Sequence, residues 1–276
     1  MLADIPFPNI DPVIVHLGPI AIRWYGMAYV TGFFLGYAVL RAMIQAGKLH
    51  ITRDQLSDMV TWLAFGVIAG GRLGWYFIYF RPNGQPTPWY EPFALWKGGM
   101  SFHGGLIGVI LGLIIWSHFA KAPFWNLADC LAKVTPIGLG LGRVANFINA
   151  ELVGRPTNLP WGVRFPIQMN PLVLESFPRH PSQLYEAILE GPILMAAVWL
   201  LGRRVENRPG VVAGWFMVLY GIFRFGVEFT RQPDPQLGFI AFGWLTMGQL
   251  LSILLALVGG VTFAVRWRKA PVSAAK

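Results

Sequence analysis

Residues 142–157 read GRVANFINAELVGRPT and stand at the end of an apolar run that begins near residue 124. Two arginines, two asparagines and a glutamate occur there, in a setting that otherwise has the composition of a lipid-embedded helix. The rest of the chain has the same character. Of 276 residues, 55% are hydrophobic and 13% charged, against about 25% charged in a soluble domain, and the mean hydropathy is +0.51. Seven apolar stretches lie at roughly 19–41, 57–80, 100–119, 124–148, 184–202, 211–229 and 243–266. Each is long enough, or nearly so, for the about 20 residues that cross a hydrocarbon core. The expectation is an all-α polytopic membrane protein: a single transmembrane domain over 1–276 with seven transmembrane helices and a loop region at about 149–183.

Seven helices place the termini on opposite sides, and the basic residues orient them. Arg41, Lys48, Arg53, Lys121, Arg203, Arg204, Arg208, Arg266, Arg268, Lys269 and Lys276 fall in short segments on one face, 11 in all, and the opposite face has six in much longer loops. Short loops rich in Lys and Arg stay cytoplasmic. This predicts a periplasmic N-terminus, a cytoplasmic C-terminus and a periplasmic 149–183 loop. The opening MLADIPFPNIDP has no basic segment before the first apolar run, so it does not resemble a cleaved signal peptide and the first helix is expected to persist. The net charge of +9 reflects this topology. Nucleic-acid binding is a poor reading, because the basic residues straddle the membrane and form no continuous patch. The one cysteine, Cys130, excludes an internal disulfide and a thiolate metal cluster. No metal-ligand spacing and no nucleotide-binding fingerprint occurs, so neither metal nor cofactor is expected.

Counting inward from the helix ends at about 1.5 Å per residue puts the intramembrane polar residues at one level, in the periplasmic half. Tyr25, Arg72, His103, Arg143, Asn146, Arg224 and Glu228 all fall there. Charges inside a bilayer face a cavity or a partner and mark functional sites by default. Tyr220, Arg224 and Glu228 run at i, i+4 and i+8 along one stripe, and Arg143 and Asn146 share a face. A plainer reading pairs Arg224 with Glu228 as helix neighbours and lets Arg143 snorkel to the interface; polar groups from five helices at one depth weigh against it. Asp129 and Lys133 have the same spacing without such company, and are read as a local salt bridge. Glu186 and Glu190 lie one turn apart, with Glu186 able to cap a helix or neutralise an arginine. Glycines flank Arg72, His103 and Arg143, permitting close approach of a helix or a ligand.

Guanidinium groups offer a planar fork of donors that fits phosphate. Two or three of them with tyrosine, asparagine and histidine suit a phospholipid headgroup, and would stabilise the charge on a departing phosphate. The histidine is placed to take a proton from an incoming nucleophile. The residues alone do not name the acceptor.

The stretch GRVANFINAELVG at 142–154 closely resembles the signature of the bacterial phosphatidylglycerol:prolipoprotein diacylglyceryl transferases. The similarity continues through RWYG at 23–26, GGRLGWY at 70–76, GGMSFHGGLIG at 98–108, RHPSQLYE at 179–186 and YGIFRFGVEFTRQPD at 220–234. It covers nearly the whole chain, the 155–178 loop excepted. This resemblance implies transfer of the sn-1,2-diacylglyceryl group of phosphatidylglycerol to the lipobox cysteine thiol of a preprolipoprotein signal peptide, forming a thioether and releasing glycerol 1-phosphate. That is the first step of lipoprotein maturation, in the bacterial inner membrane among bulk membrane lipids. It also implies that Arg143 and Arg224 hold the lipid phosphate, and that Asn146, Glu151 and Gly154 complete the signature. Tyr25, Tyr220 and Glu228 would orient the site, with Gly104 against the lipid. His103 would be either the general base or a hydrogen-bond donor.

Two rival classes remain at this level. An anion transporter also needs arginines, but requires polar residues through the cytoplasmic half, where the Asp129 and Lys133 pair stands nearly alone. A non-catalytic lipid-binding scaffold would explain Arg143 and Arg224 but not His103.

Overall fold

The computed structural model describes residues 5–8, 10–18, 20–78, 87–166, 177–205, 207–233, 238–269 and 271, and the side chains among them except at positions 20, 78, 102 and 103. The architecture is mostly helical. Its helices are α1 (Trp24–Gln45), α2 (Arg53–Ile78), α3 (Phe102–Phe119), α4 (Phe124–Ile148), α5 (Ser182–Ile188), α6 (Leu194–Arg204), α7 (Val211–Glu228) and α8 (Met247–Arg268). A single π-helical turn, Leu189–Ile193, joins α5 to α6 as one kinked rod, with Gly191 at φ −91° and ψ −106°. Among the described residues, four rods are long and apolar enough to cross a membrane: α1, Ser182–Arg204, α7 and α8.

Short strands modify the all-α expectation. Strand β1 (Ile5–Pro6) pairs in parallel with β4 (Val163–Arg164), β2 (Val13–Leu17) pairs antiparallel with β3 (Ile20–Arg23), and β5 (Phe239–Ala241) pairs antiparallel with β6 (Leu245–Thr246). The first apolar stretch was expected to be helical from about 19, yet the helix begins at Trp24. Gly18 at φ +60° turns the chain, and the β-branched residues on either side pair across the turn rather than coil.

The chain forms two compact units, Arg41–Leu127 and Met1–Leu40 with Ala128–Lys276. In the first, α2 and α3 meet backbone to backbone through glycines one turn apart, Gly66, Gly70 and Gly74 on α2 facing Gly104 and Gly108 on α3. A Cβ on Gly74 would lie 2.7 Å from the Cα of Gly104, and one on Gly70 would lie 2.9 Å from the Cα of Gly108. Between helices in an apolar medium such small-residue rows supply packing that larger side chains would forbid. Ser101 caps α3 by accepting the Gly104 N–H at 3.1 Å. Arg72, 2% exposed, donates to the carbonyls of Gly98, Gly99 and Glu91 and lies over the Trp75 ring, 4.5 Å from its centroid. Its role here is to anchor the segment between α2 and α3.

In the other unit, α7 and α8 also pack through glycine: a Cβ on Gly221 would lie 2.7 Å from the Ser252 carbonyl, and one on Gly259 would lie 2.8 Å from the Gly214 carbonyl. Asp129 corrects the sequence reading. Its carboxylate accepts the Gly210 and Ala213 N–H groups at 2.7 and 2.8 Å, closing the N-terminus of α7, where the free amides and the helix dipole favour an anion. Lys133 instead lies over the Trp199 ring, 5.8 Å from its centroid.

The α2–α3 contact leads to a direct expectation. Gly70→Ala lowers stability by about 1–3 kcal/mol, read as a fall in the unfolding temperature of the detergent-solubilised chain by tryptophan fluorescence. An unchanged transition would contradict the close packing described.

Candidate functional site

The polar cluster of the larger unit is built on α4. Near its end α4 carries Arg143 and Asn146, and the chain then leaves the helix through a tight turn in which Ala150 takes φ +52° and Leu152 φ +56°. Positive φ is uncommon for side chains with a Cβ, and here packing enforces it, since Ala150 is fully buried beside Phe147, Val153 and Phe165. The turn brings Glu151 back over the helix end. Asn146 donates its amide to Glu151 Oε1 at 2.6 Å, Asn149 adds a longer bond at 3.4 Å, and Gln183 from α5 donates to the Glu151 carbonyl at 2.6 Å.

Gly154 follows, held between two other segments. Its N–H donates to the His180 carbonyl at 3.2 Å, its carbonyl accepts Arg179 Nη1 at 3.0 Å, and it bridges to Arg231. A Cβ there would lie 2.7 Å from that of His180 and 2.8 Å from the Thr230 carbonyl. Only glycine fits. Burial holds the His180 imidazole below its usual pKa, so it is neutral at pH 7, with Nδ1 3.3 Å from the Tyr185 hydroxyl.

Arg143 does not snorkel. Its Nε lies 2.6 Å from Glu186 Oε2 and 3.4 Å from Glu190 Oε2, and the arginine side chain is 18% exposed against 1% and 0% for the two glutamates. The kinked rod makes this possible. Gly140 on α4 meets Gly191 in the π turn so closely that a Cβ on either would come within 3.1 or 3.2 Å of the other's Cα. Glu186 and Glu190, one turn apart, thereby face α4 together. Arg224 on α7 pairs with Glu228 one turn later at 2.6 Å, and Glu228 Oε1 accepts the Thr246 hydroxyl at 2.8 Å. Thr246 also heads α8 in a reciprocal capping arrangement with Gln249.

Tyrosines flank the charges. Tyr220, on the Arg224 stripe, stacks on Phe216 with ring centroids 6.0 Å apart and lies in the field of Arg143, Arg224, Glu186 and Glu190. Tyr25 shares a hydroxyl contact of 3.0 Å with Tyr29 and lies in the field of Glu151 and Arg143. Of the residues singled out in the sequence, Tyr25, Arg143, Asn146, Glu151, Gly154, Tyr220, Arg224 and Glu228 therefore belong to one compact unit. Gly104 belongs to the other, in the α2–α3 contact, and the His103 side chain lies outside the described residues.

Sequence reasoning left Glu190 without a role and did not assign Gln183, Arg179 or Thr246. The spacing of Glu186 and Glu190 inside an apolar helix was a usable signal, and the T-x-x-Q pattern at 246–249 is a readable capping motif. Arg179 and Gln183 had no local signal, because their partners are backbone groups 25 and 32 residues away.

Comparison with known proteins bears on this arrangement. The family described as prolipoprotein diacylglyceryl transferase matches residues 12–265. A protein of Nitratidesulfovibrio vulgaris (strain DSM 19637 / Miyazaki F) is 50% identical over 254 residues, covering 92% of both chains. One of Pseudomonas entomophila (strain L48) is 50% identical over 262 residues, covering 93% of both. One of Rhizobium meliloti (strain 1021) is 46% identical over 266 residues, covering 94% of this chain and 92% of its own. All three carry the name phosphatidylglycerol–prolipoprotein diacylglyceryl transferase. With a match running from the first strand hairpin into the last helix, the chain belongs to the prolipoprotein diacylglyceryl transferase family.

Proposed function

We propose that this transferase uses the Arg143 and Arg224 cluster to hold the phosphate of phosphatidylglycerol while its diacylglyceryl group passes to a prolipoprotein cysteine. The observation that carries this reading is two arginines, from α4 and α7, kept among buried carboxylates. A buried guanidinium without an anion is strongly unfavourable. Carboxylates supply the anion in the free protein, and a lipid phosphate fits the same donors.

The chemistry follows from the substrates. The cysteine sulfur attacks the glyceryl carbon that bears the phosphate, an S–C bond forms, and the C–O bond to phosphate breaks with its electron pair leaving on glycerol 1-phosphate. Two negative charges then matter: the thiolate that attacks and the phosphate that departs. Arg143 and Arg224 stabilise the second. Asn146 and Glu151 set the end of α4 and hence the aim of Arg143. Gly154 holds the following loop, and Glu228 fixes Arg224. Tyr25 and Tyr220 shape the walls. His103 and Gly104 are assigned to the same reaction, His103 as the acceptor of the thiol proton or as a hydrogen-bond donor.

Orientation belongs to the same reading. The chain is one transmembrane domain of seven spans, the α5–α6 rod counting as one, in the bacterial inner membrane with the cluster toward the periplasm. The asymmetry of basic residues supports this. A reporter fused after Lys276 is expected to behave as cytoplasmic and one inserted in the 81–99 loop as periplasmic; both on one side would end the seven-span arrangement.

Incubating the purified chain with phosphatidylglycerol and a lipobox peptide tests the reaction, with a peptide mass gain of one diacylglyceryl group as the expected result. Cys130, buried in the core, is not the acceptor, so Cys130→Ser retains transfer; loss of activity in a folded variant would indicate a covalent enzyme intermediate instead. Arg143→Lys keeps the charge but loses the planar fork. Transfer is expected to fall at least about tenfold, equivalent to about 1.4 kcal/mol of transition-state stabilisation, with normal membrane insertion. Wild-type transfer by Arg143→Lys with limiting phosphatidylglycerol would exclude Arg143 as the phosphate ligand.

A further inference from the structure

The cluster contains one carboxylate too many for its cations. Among the described residues of its unit, Arg143 and Arg224 are matched against Glu186, Glu190 and Glu228. Each glutamate is held differently. Glu228 has Arg224 at 2.6 Å and the Thr246 hydroxyl at 2.8 Å. Glu186 has Arg143 at 2.6 Å. Among the described residues, Glu190 has only the longer 3.4 Å bond from Arg143 Nε, and its other oxygen, Oε1, is buried with no hydrogen-bond partner there. A fully buried carboxylate with one free oxygen is costly while ionised, whereas a protonated carboxyl loses most of that cost.

A lipid phosphate adds a further negative charge to these same groups. Were every carboxylate to stay ionised, the occupied cluster would hold four anions against two cations. The π turn that carries Glu190 faces α4 and α7, and the ionisable groups acting on it are Arg143 from α4, Arg224 and Tyr220 from α7 and Glu186 from its own rod. Neither arginine titrates near neutrality. The charge imbalance is therefore relieved at a carboxylate, and Glu190 is the one with the weakest hold on a cation.

We propose that Glu190 is the proton-accepting group of the headgroup site: phosphatidylglycerol displaces it from Arg143, and Glu190 takes up one proton from solvent as the lipid binds and returns it when glycerol phosphate leaves. The balance is simple. Ionised Glu190, a proton and the anionic lipid give protonated Glu190 and bound lipid, with no other group changing charge. Glu190 is thus a positioning residue that leaves Arg143 free for phosphate only when neutral. This rests on the reading of Arg143 as a phosphate ligand.

The sign of the pH effect follows. Binding that consumes a proton weakens as pH rises through the range in which free Glu190 ionises, so the Kd for phosphatidylglycerol is expected to rise by up to about tenfold per pH unit there. Glu190→Gln, which mimics the protonated form, is expected to bind with a Kd nearly independent of pH over the same range and more tightly than wild type at the alkaline end. The test titrates the detergent-solubilised full chain with dioleoyl phosphatidylglycerol in mixed micelles, with dioleoylglycerol as the uncharged blank. A pH-indicator dye in weak buffer reads proton uptake by the wild-type chain, expected to approach about one proton per lipid bound at the alkaline end. Absence of uptake in the wild type overturns the proposal whether or not the variant folds, and uptake undiminished in folded Glu190→Gln overturns it equally. Arg143→Lys separates the two levels. If that variant binds the lipid as the wild type does, the phosphate reading itself fails; if it loses binding while the wild type takes up no proton, only the role of Glu190 fails.

Discussion

Neutralising Arg143 in a partly buried, apolar setting is the constraint on which the larger unit is organised. A guanidinium cannot shed its charge, so the fold must bring an anion to it. It brings two, Glu186 and Glu190, and both come from a rod that reaches α4 only because Gly140 and Gly191 let the backbones touch. The π turn, the glycine contact and the end of α4 are thus parts of one solution. Asn146 and Gln183 then pin Glu151 and the chain beyond it, and Gly154 locks that chain against His180 and Thr230.

A second pattern recurs in both units: polar side chains ending on backbone groups where a helix begins or stops. Asp129 closes the start of α7, Thr246 and Gln249 close the start of α8, and Arg72 gathers the carbonyls between α2 and α3. Helix ends leave amides and carbonyls unpaired, and in a chain this apolar few water molecules are at hand to satisfy them. Charged residues that look misplaced on an apolar helix therefore divide into two kinds. Asp129 and Arg72 serve backbone. Arg143, Arg224 and their glutamates serve one another.

Much of this was legible beforehand. The apolar stretch at 124–148 coincides with α4, while the pairing of Arg224 with Glu228, which the sequence offered as the plainer reading and the depth of the other polar groups weighed against, is present at 2.6 Å. Local periodicity carries that information, because both partners lie within the same few turns. It fails at 20–23, where a glycine turn lets apolar residues pair as strands. It fails also at Asp129, where an i, i+4 neighbour was available but two amide groups some 81 and 84 residues away compete better.

The sequence by itself determined the class of protein, the helical segments and, through the resemblance of residues 142–154 and their companion motifs, the family and the identity of most cluster residues. Composition and short-range spacing suffice for those, since they depend on each segment alone. Only the tertiary structure decided which charges meet. That Arg143 is held by two glutamates from another rod, and that one of them keeps an oxygen unpaired among the described residues, depends on a π turn and a glycine contact between α4 and that rod. Spacing along the chain contains no distance between segments some 40 residues apart; backbone approach supplies it.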